Sequence, residues 1–222
     1  MLQLDCLDIT AISAAEYSRL YAAASQQRQL RAERYTRKEE ALRCIAADAL
    51  LRRAMRQCGV ALDVPVLQSE HGKPYVEHPW FHFNLSHAGR WVVIAYADRP
   101  VGVDVEQILD GEMRHKLARR YFSSPEQSEV LCDDDPRGIA ERFAAVWTGK
   151  ESYVKFLGCG LRVPLDSFSV HAKEGFVSDA SGARCTPRLH YAAPDEQHLV
   201  CACCDADACC LSVLQLADLL EV

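Results

Sequence analysis

Between Phe81 and Glu106 the chain passes through three β-rich apolar runs with room for little but turns between them: FHFNL (81–85), WVVIAYA (91–97) and VGVDVE (101–106). Runs of this length and composition, bounded by Gly, Asp and Pro, read as strands, and Asp98-Arg99-Pro100 supplies a turn. What precedes them has another period. Ser13-x-x-Glu16 reads as a capping box opening a helix with Tyr17, Leu20, Tyr21 and Ala24 inward, and Thr36-x-x-Glu39 as a second. Leu42, Ile45, Ala46, Ala49 and Leu50 then follow helical spacing as far as Gly59, a natural stop.

The second half repeats this order. Ser124-Pro125-Glu126 opens a short helix, CDDDPRG (132–138) is a loop, and a long helix is expected from about Ile139 to Leu157, ending at Gly158. Strands follow at PLDSFSVHA (164–172) and GFVSDA (175–180), and HLVCACC (198–204) closes the series. Helices then strands, twice over, predict an α+β chain of two similar halves, 1–106 and 107–222, each a small antiparallel sheet against helices.

With 222 residues this is one large domain or two intimate small ones. No run approaches the ~20 apolar residues of a membrane span, and MLQLDCLDIT carries acid where a leader wants base. A cytoplasmic protein off the membrane is therefore expected. Eleven cysteines in scattered positions fit no disulfide framework, and CACC (201–204) with Cys209 and Cys210 lacks zinc-ribbon spacing, so the thiols read as reduced, small core residues. A net charge of −6 argues against nucleic acid as a partner. Residues 28–56 nevertheless hold nine Lys/Arg against four acids. A basic segment on an acidic chain suits a small anionic ligand, or a solvated helix face.

In VGVDVE, Asp104 and Glu106 share one face of a strand while Val101, Val103 and Val105 fill the other. In WTGKESYVK (147–155), Trp147, Glu151 and Lys155 lie on one helical stripe. Three carboxylates and an ammonium would suit Mg²⁺ shared with substrate phosphates, provided the fold joins strand to helix. NLSHAGRW (84–91) places Asn84, Ser86, His87 and Arg90 together as donors for an anion, and no G-x-S-x-G elbow surrounds Ser86 to make it a nucleophile.

HGKPY (71–75), FNLSHAGRW, VGVDVE and WTGKESYVKFLGCGL, in this order, resemble the 4′-phosphopantetheinyl transferases of the surfactin-synthetase type, whose hallmarks are a G-[IV]-D strand and a downstream W-x-x-K-E-[SA]-x-x-K helix. The resemblance runs from about Arg28 to PLDSFSV (164–170). It implies two α/β halves related by a pseudo-twofold axis, acting as a monomer. The implied reaction moves the phosphopantetheine arm of coenzyme A to a serine of an apo acyl or peptidyl carrier protein, releasing 3′,5′-ADP with Mg²⁺ as cofactor.

By the same resemblance, Asp104, Glu106 and Glu151 match the metal ligands, Lys155 the lysine against the pyrophosphate, and Glu151 or a nearby water the route for the serine proton. His87 joins Glu151 and Lys155 in the catalytic set. Gly72, Lys73 and Pro74, with Ser86 and His87, match coenzyme A contacts, and Arg28, Arg31 and Arg43 match basic positions toward the 3′-phosphate. Gly149 departs from the bulkier residues common in the family at that place and is expected to loosen its helical turn. Ile108, Met113, Leu117, Tyr121 and Phe122 either dock the carrier or pack a linker helix onto the core. A Mg²⁺-dependent hydrolase of coenzyme A or a related diphosphate, and a non-catalytic docking module, stay open beside the transferase.

Overall fold

The computed structural model describes residues 1–109 and 111–220. The chain opens with β1 (Leu2–Asp8), followed by α1 (Ala14–Ala23), α2 (Gln26–Ala32) and the long α3 (Lys38–Gln57). A small hairpin, β2 (Val66–Gln68) and β3 (Pro74–Val76), leads into β4 (His82–Ala88), β5 (Trp91–Ala97) and β6 (Val101–Gln107). Then come α4 (Glu112–Tyr121), α5 (Ser124–Val130) and α6 (Pro136–Leu157), strands β7 (Ser169–His171), β8 (Phe176–Ser178), β9 (Arg184–Asp195), β10 (His198–Cys204) and β11 (Cys209–Leu214), and α7 (Ala217–Leu220).

The expected α+β class holds, and each half sets one long helix on one sheet. Four strands pair in the order β11-β1-β5-β4 and five in the order β6-β10-β9-β8-β7. Buried residues fall into three layers. Ile45, Leu50, Leu51 and Met55 of α3 meet Val92, Ile94 and Tyr96 of β5. On the other face of that sheet, Leu2, Leu4, Val93 and Ala95 meet Val101, Val103, Val105, Val200 and Ala202 of the second sheet. Beyond it, Cys201 and Cys203 of β10 pack with Phe143, Val146 and Val154 of α6. Helix, sheet, sheet and helix thus alternate, and the central strand β5 is buried on both faces.

The sheets divide the chain differently from a cut at 106/107. β6 pairs antiparallel with β10, not with β5, and β11 runs parallel to β1 from Leu2↔Cys209 to Leu7↔Leu214. HLVCACC is therefore not the last strand. The cysteines are all free: Cys6, Cys44, Cys201, Cys203 and Cys204 are core residues as expected, while Cys58, Cys132 and Cys210 are exposed.

Local chemistry explains most helix ends. The Ser13–Glu16 capping box forms. The Thr36–Glu39 box does not: α3 starts after Arg37 without a side-chain cap, and its first turn carries Glu39 and Glu40 against the helix dipole instead. The short helix α5 is capped one residue earlier than expected, by Ser123 with Glu126. α6 starts at Pro136, three residues before the expected Ile139, because Asp135 accepts from Gly138 N at 3.0 Å. It stops at Gly158, φ 69°. Residues 164–172 give only the three-residue β7, since Lys150 draws the carbonyls of Leu165 (2.6 Å) and Phe168 (2.8 Å) onto its ammonium.

Candidate active site

Two sheet edges meet at the site. β4 and β6 each end their sheet, and in place of a ladder between them Val103 N donates to the side-chain Oδ1 of Asn84 at 2.9 Å. That bond satisfies an edge amide that would otherwise be buried unpaired. α6 lies directly on β6, because Gly102 has no side chain: a Cβ there would stand 2.0 Å from Ser152 O and 2.3 Å from Phe156 N. The helix that bears Glu151 and Lys155 and the strand that bears Asp104 and Glu106 are in backbone contact at that glycine.

The result is a compact polar centre. Lys155 Nζ lies 2.6 Å from Asp104 Oδ1 and donates to Ser86 Oγ at 3.1 Å, and Ser86 Oγ donates to the same carboxylate oxygen at 2.9 Å. Asp104 is buried, and its Oδ2 has no hydrogen-bond partner. Burial and the charge of Asp104 hold the Glu106 carboxyl above its ordinary range, against the pull of Arg114, whose Nη2 stands 3.4 Å from Glu106 Oε2. Burial, then Asp104, raises Glu151 in the same way, with Lys155 opposing and Glu106 adding. Two carboxyls raised by burial and by a neighbouring carboxylate make an arrangement in need of cationic charge.

An orphaned, buried carboxylate oxygen among oxygen-only donors fits a hard divalent cation such as Mg²⁺. Among the described residues no three His, Cys, Asp or Glu side chains form a ready-made metal cage.

From Ser86 a cavity of about 330 Å³ opens along α2 and α3, lined by Arg28, Arg31, Arg43, Gly72, Pro74 and His87 among others. Seven of the residues expected to bind coenzyme A thus share one wall. Arg28 is aimed by Asp48 (Nε–Oδ1 3.5 Å), and burial lifts the Asp48 carboxyl. Arg31 Nε donates to the Tyr35 hydroxyl at 3.3 Å. Arg43 donates to Glu40 Oε1 at 2.5 Å and to Gly89 O at 2.6 Å, tying α3 to the β4–β5 turn. His87 Nε2 sits 3.9 Å from the other Glu40 oxygen, and burial, then Arg43, lowers its pKa.

Lys73 departs from the expectation. Its neighbours Gly72 and Pro74 line the cavity, but its own ammonium is placed on the carbonyls of Val101, Lys155 and Phe156. Gly149 also departs: it does not loosen its turn but makes room for β7 and β9, since a Cβ would meet Tyr191 Oη at 2.6 Å and Val170 Cγ1 at 2.8 Å. Of the apolar residues around α4, Phe122 is buried and Leu117 and Tyr121 pack on the core, whereas Met113 is 67% exposed.

The structure adds residues that the sequence reading passed over. Glu40 and Asp48 orient the cavity's arginines, and Arg114 faces Glu106. Lys150, beside Glu151, is fully buried and paired with Glu126 Oε2 at 2.8 Å. A glycine inside the VGVDV strand was the one available signal of close backbone approach. No sequence pattern marks Asp48, because its partner Arg28 comes from a neighbouring element, whereas Glu40 and Arg43 stand three apart on α3, a helical spacing that the sequence does show.

Comparison with known proteins agrees with this geometry. Residues 100–204 match the 4′-phosphopantetheinyl transferase superfamily, and residues 11–99 match the family described as 4′-phosphopantetheinyl transferase, N-terminal. A 4′-phosphopantetheinyl transferase of Bacillus subtilis is 38% identical over 175 residues, 75% of this chain and 75% of that one. The 4′-phosphopantetheinyl transferase Sfp of Bacillus subtilis (strain 168) is 34% identical over 198 residues, 86% of this chain and 87% of its own. A phosphopantetheinyl transferase of Thraustochytrium sp. is 28% identical over 207 residues, 84% of this chain and 72% of its own. With strand, helix and basic cavity assembled as its motifs require, the chain belongs to the 4′-phosphopantetheinyl transferase superfamily.

Proposed function

We propose that this protein transfers the 4′-phosphopantetheine arm of coenzyme A to a serine of an apo acyl or peptidyl carrier protein. The observation that carries the reading is the continuity at Ser86. One side of this residue is a cavity lined by Arg28, Arg31 and Arg43, and the other is the Asp104–Lys155 centre. Arg28, Arg31 and Arg43 would take the 3′-phosphate, and Ser86 and His87 would lead the diphosphate toward Lys155.

The carrier serine oxygen forms a bond to the phosphorus bearing the pantetheine arm, the bond from that phosphorus to the bridging oxygen breaks, and 3′,5′-ADP leaves. Lys155 balances charge on the leaving side, and Glu151, its carboxyl raised by burial and Asp104, is suited to accept the serine proton. Asp104, Glu106 and Glu151 would hold Mg²⁺, which supplies neutralisation of the diphosphate when bound. Every other contribution is positioning.

The exposed Met113 and Leu109, beside the solvent-facing Lys116, Arg119 and Arg120 of α4, suit docking of an acidic helical carrier. Eleven free cysteines accord with the reducing cytoplasm, where coenzyme A and carriers meet. Among the described residues no helix is long and apolar enough to cross a membrane.

The test is intact-protein mass spectrometry of an apo carrier incubated with this protein, Mg²⁺ and coenzyme A. A gain of about 340 Da, the phosphopantetheine arm, is expected. Release of 3′,5′-ADP without carrier modification would replace transfer by hydrolysis.

A further inference from the structure

Lys73 is delivered to the catalytic centre by a tight turn. Gly72, at φ 82°, donates its N–H to Ser69 O at 2.9 Å, Ser69 N donates to Lys73 O at 2.9 Å, and Lys73 N donates to Ser69 Oγ at 3.1 Å. From the end of this hairpin the side chain runs past Gly158, where a Cβ would stand 3.4 Å from Lys73 Cδ. Its ammonium then donates to Lys155 O at 2.6 Å, Val101 O at 2.9 Å and Phe156 O at 3.4 Å. An ammonium has three donors and all three are used.

The identity of the acceptors gives the arrangement its meaning. Carbonyls in the last turn of a helix lack intrahelical partners, and the backbone N–H of Gly158 returns only to Val154 O. Lys155 O and Phe156 O are therefore left for Lys73, at the helix end where a cation is favoured. Val101 O belongs to the first residue of β6, three residues before Asp104. One ammonium thus joins the origin of the strand carrying Asp104 to the end of the helix carrying Lys155. Gly102 fixes how closely the two backbones approach, and Lys73 fixes where they stand along one another. Burial pulls the Lys73 pKa down to about 8, the cost of holding an ammonium out of water.

We infer that Lys73 is a positioning residue for transfer, anchoring the C-terminal turn of α6 to β6 so that the Lys155 ammonium is held against Asp104, and that it is not a ligand of the coenzyme A phosphates. The inference rests on the transfer reading for its kinetic expression and on hydrogen-bond geometry for its structural one, and the two can be tested apart.

Lys73→Met and Lys73→Arg are compared with wild type in carrier loading at varied coenzyme A. Arginine serves a phosphate at least as well as lysine, but its flat fork cannot converge on three carbonyls around one point. Both variants should lose roughly 10- to 100-fold in kcat, the scale of an ångström misplacement, with the KM for coenzyme A changed less than about twofold. In a Lys155→Ala background, Lys73→Met should cost less than about twofold further, because the residue it positions is gone.

Near-normal kcat in Lys73→Arg together with a raised coenzyme A KM in Lys73→Met would make Lys73 a phosphate ligand and overturn the inference. So would a full additional loss in the Lys155→Ala background, which would mean a role independent of Lys155. Should wild type load no carrier, the transfer reading falls, and amide hydrogen exchange still decides the anchor. Exchange at residues 155–158 should be at least about tenfold faster in Lys73→Met than in wild type if Lys73 holds that turn, and unchanged exchange would refute it.

Discussion

At the scale of single residues, the site is governed by where charge is stranded. Asp104 Oδ2 is buried and unpartnered, and Glu106 and Glu151 are held above their ordinary range by burial and by Asp104. A carboxyl whose folded pKa lies above its unfolded value of about 4.3 makes the folded chain bind protons more tightly. Its presence therefore costs stability as pH rises through the interval between the two values. A divalent cation removes that cost only where the carboxylates are ionised. Addition of Mg²⁺ should accordingly raise the melting temperature more at about pH 7.5 than at about pH 5, read by differential scanning calorimetry. Equal shifts at the two pH values would remove these carboxylates as the binding set. Asp104, Glu106, Glu151 and Lys155 were readable as candidates from their spacing. Lys150 was not: in the chain it looks like another exposed helical lysine, and only the approach of α5 shows that Glu126 and two carbonyls bury it.

At the scale of elements, the contact of α6 with β6 controls the chemistry, and Gly102 controls the contact. Its replacement by alanine would drive a Cβ into Ser152 O and Phe156 N, both backbone atoms that cannot rotate aside. Gly102→Ala should destabilise the fold by about 1–3 kcal/mol and lower the rate of transfer. Coenzyme A binding in the arginine-lined cavity, formed by other elements, should be kept. Calorimetric titration with coenzyme A beside a carrier-loading assay separates the two, and transfer at the wild-type rate would show that the spacing is slack. The strands β4, β5, β6 and β10 were legible because they are short apolar runs between turn residues. β7 was overread, since the carbonyls that would extend it serve Lys150. β1, β2, β3, β9 and β11 were passed over.

At the scale of the whole molecule, the halves are interlocked. β6 leaves the first half to pair with β10, and β11 returns from the second to lie along β1, so the four-stranded sheet draws on both ends of the chain while the five-stranded one takes β6 to β10 in unbroken succession. Removing residues 209–220 should uncover the outer edge of β1, whose Leu2 and Leu4 are fully buried, and lower the urea midpoint well below that of the full chain. An unchanged midpoint would make β11 an ornament. What the sequence by itself determined was local in origin: the α+β class, from periodicities of 3.6 and 2, the packing of Cys201, Cys203 and Cys204 in a core strand, and the motifs that resemble the superfamily to which the chain belongs. What only the tertiary structure decided was long-range. It set which strand crosses to which sheet, that Lys73 turns to backbone rather than to the cavity, and that Asp48 of α3 orients Arg28 of α2. Each of these depends on groups far apart in the chain meeting across a packed seam. Such contacts leave no periodic trace in the sequence, because the partner of each group is chosen by packing and by the need to satisfy buried polar atoms, not by spacing along the chain.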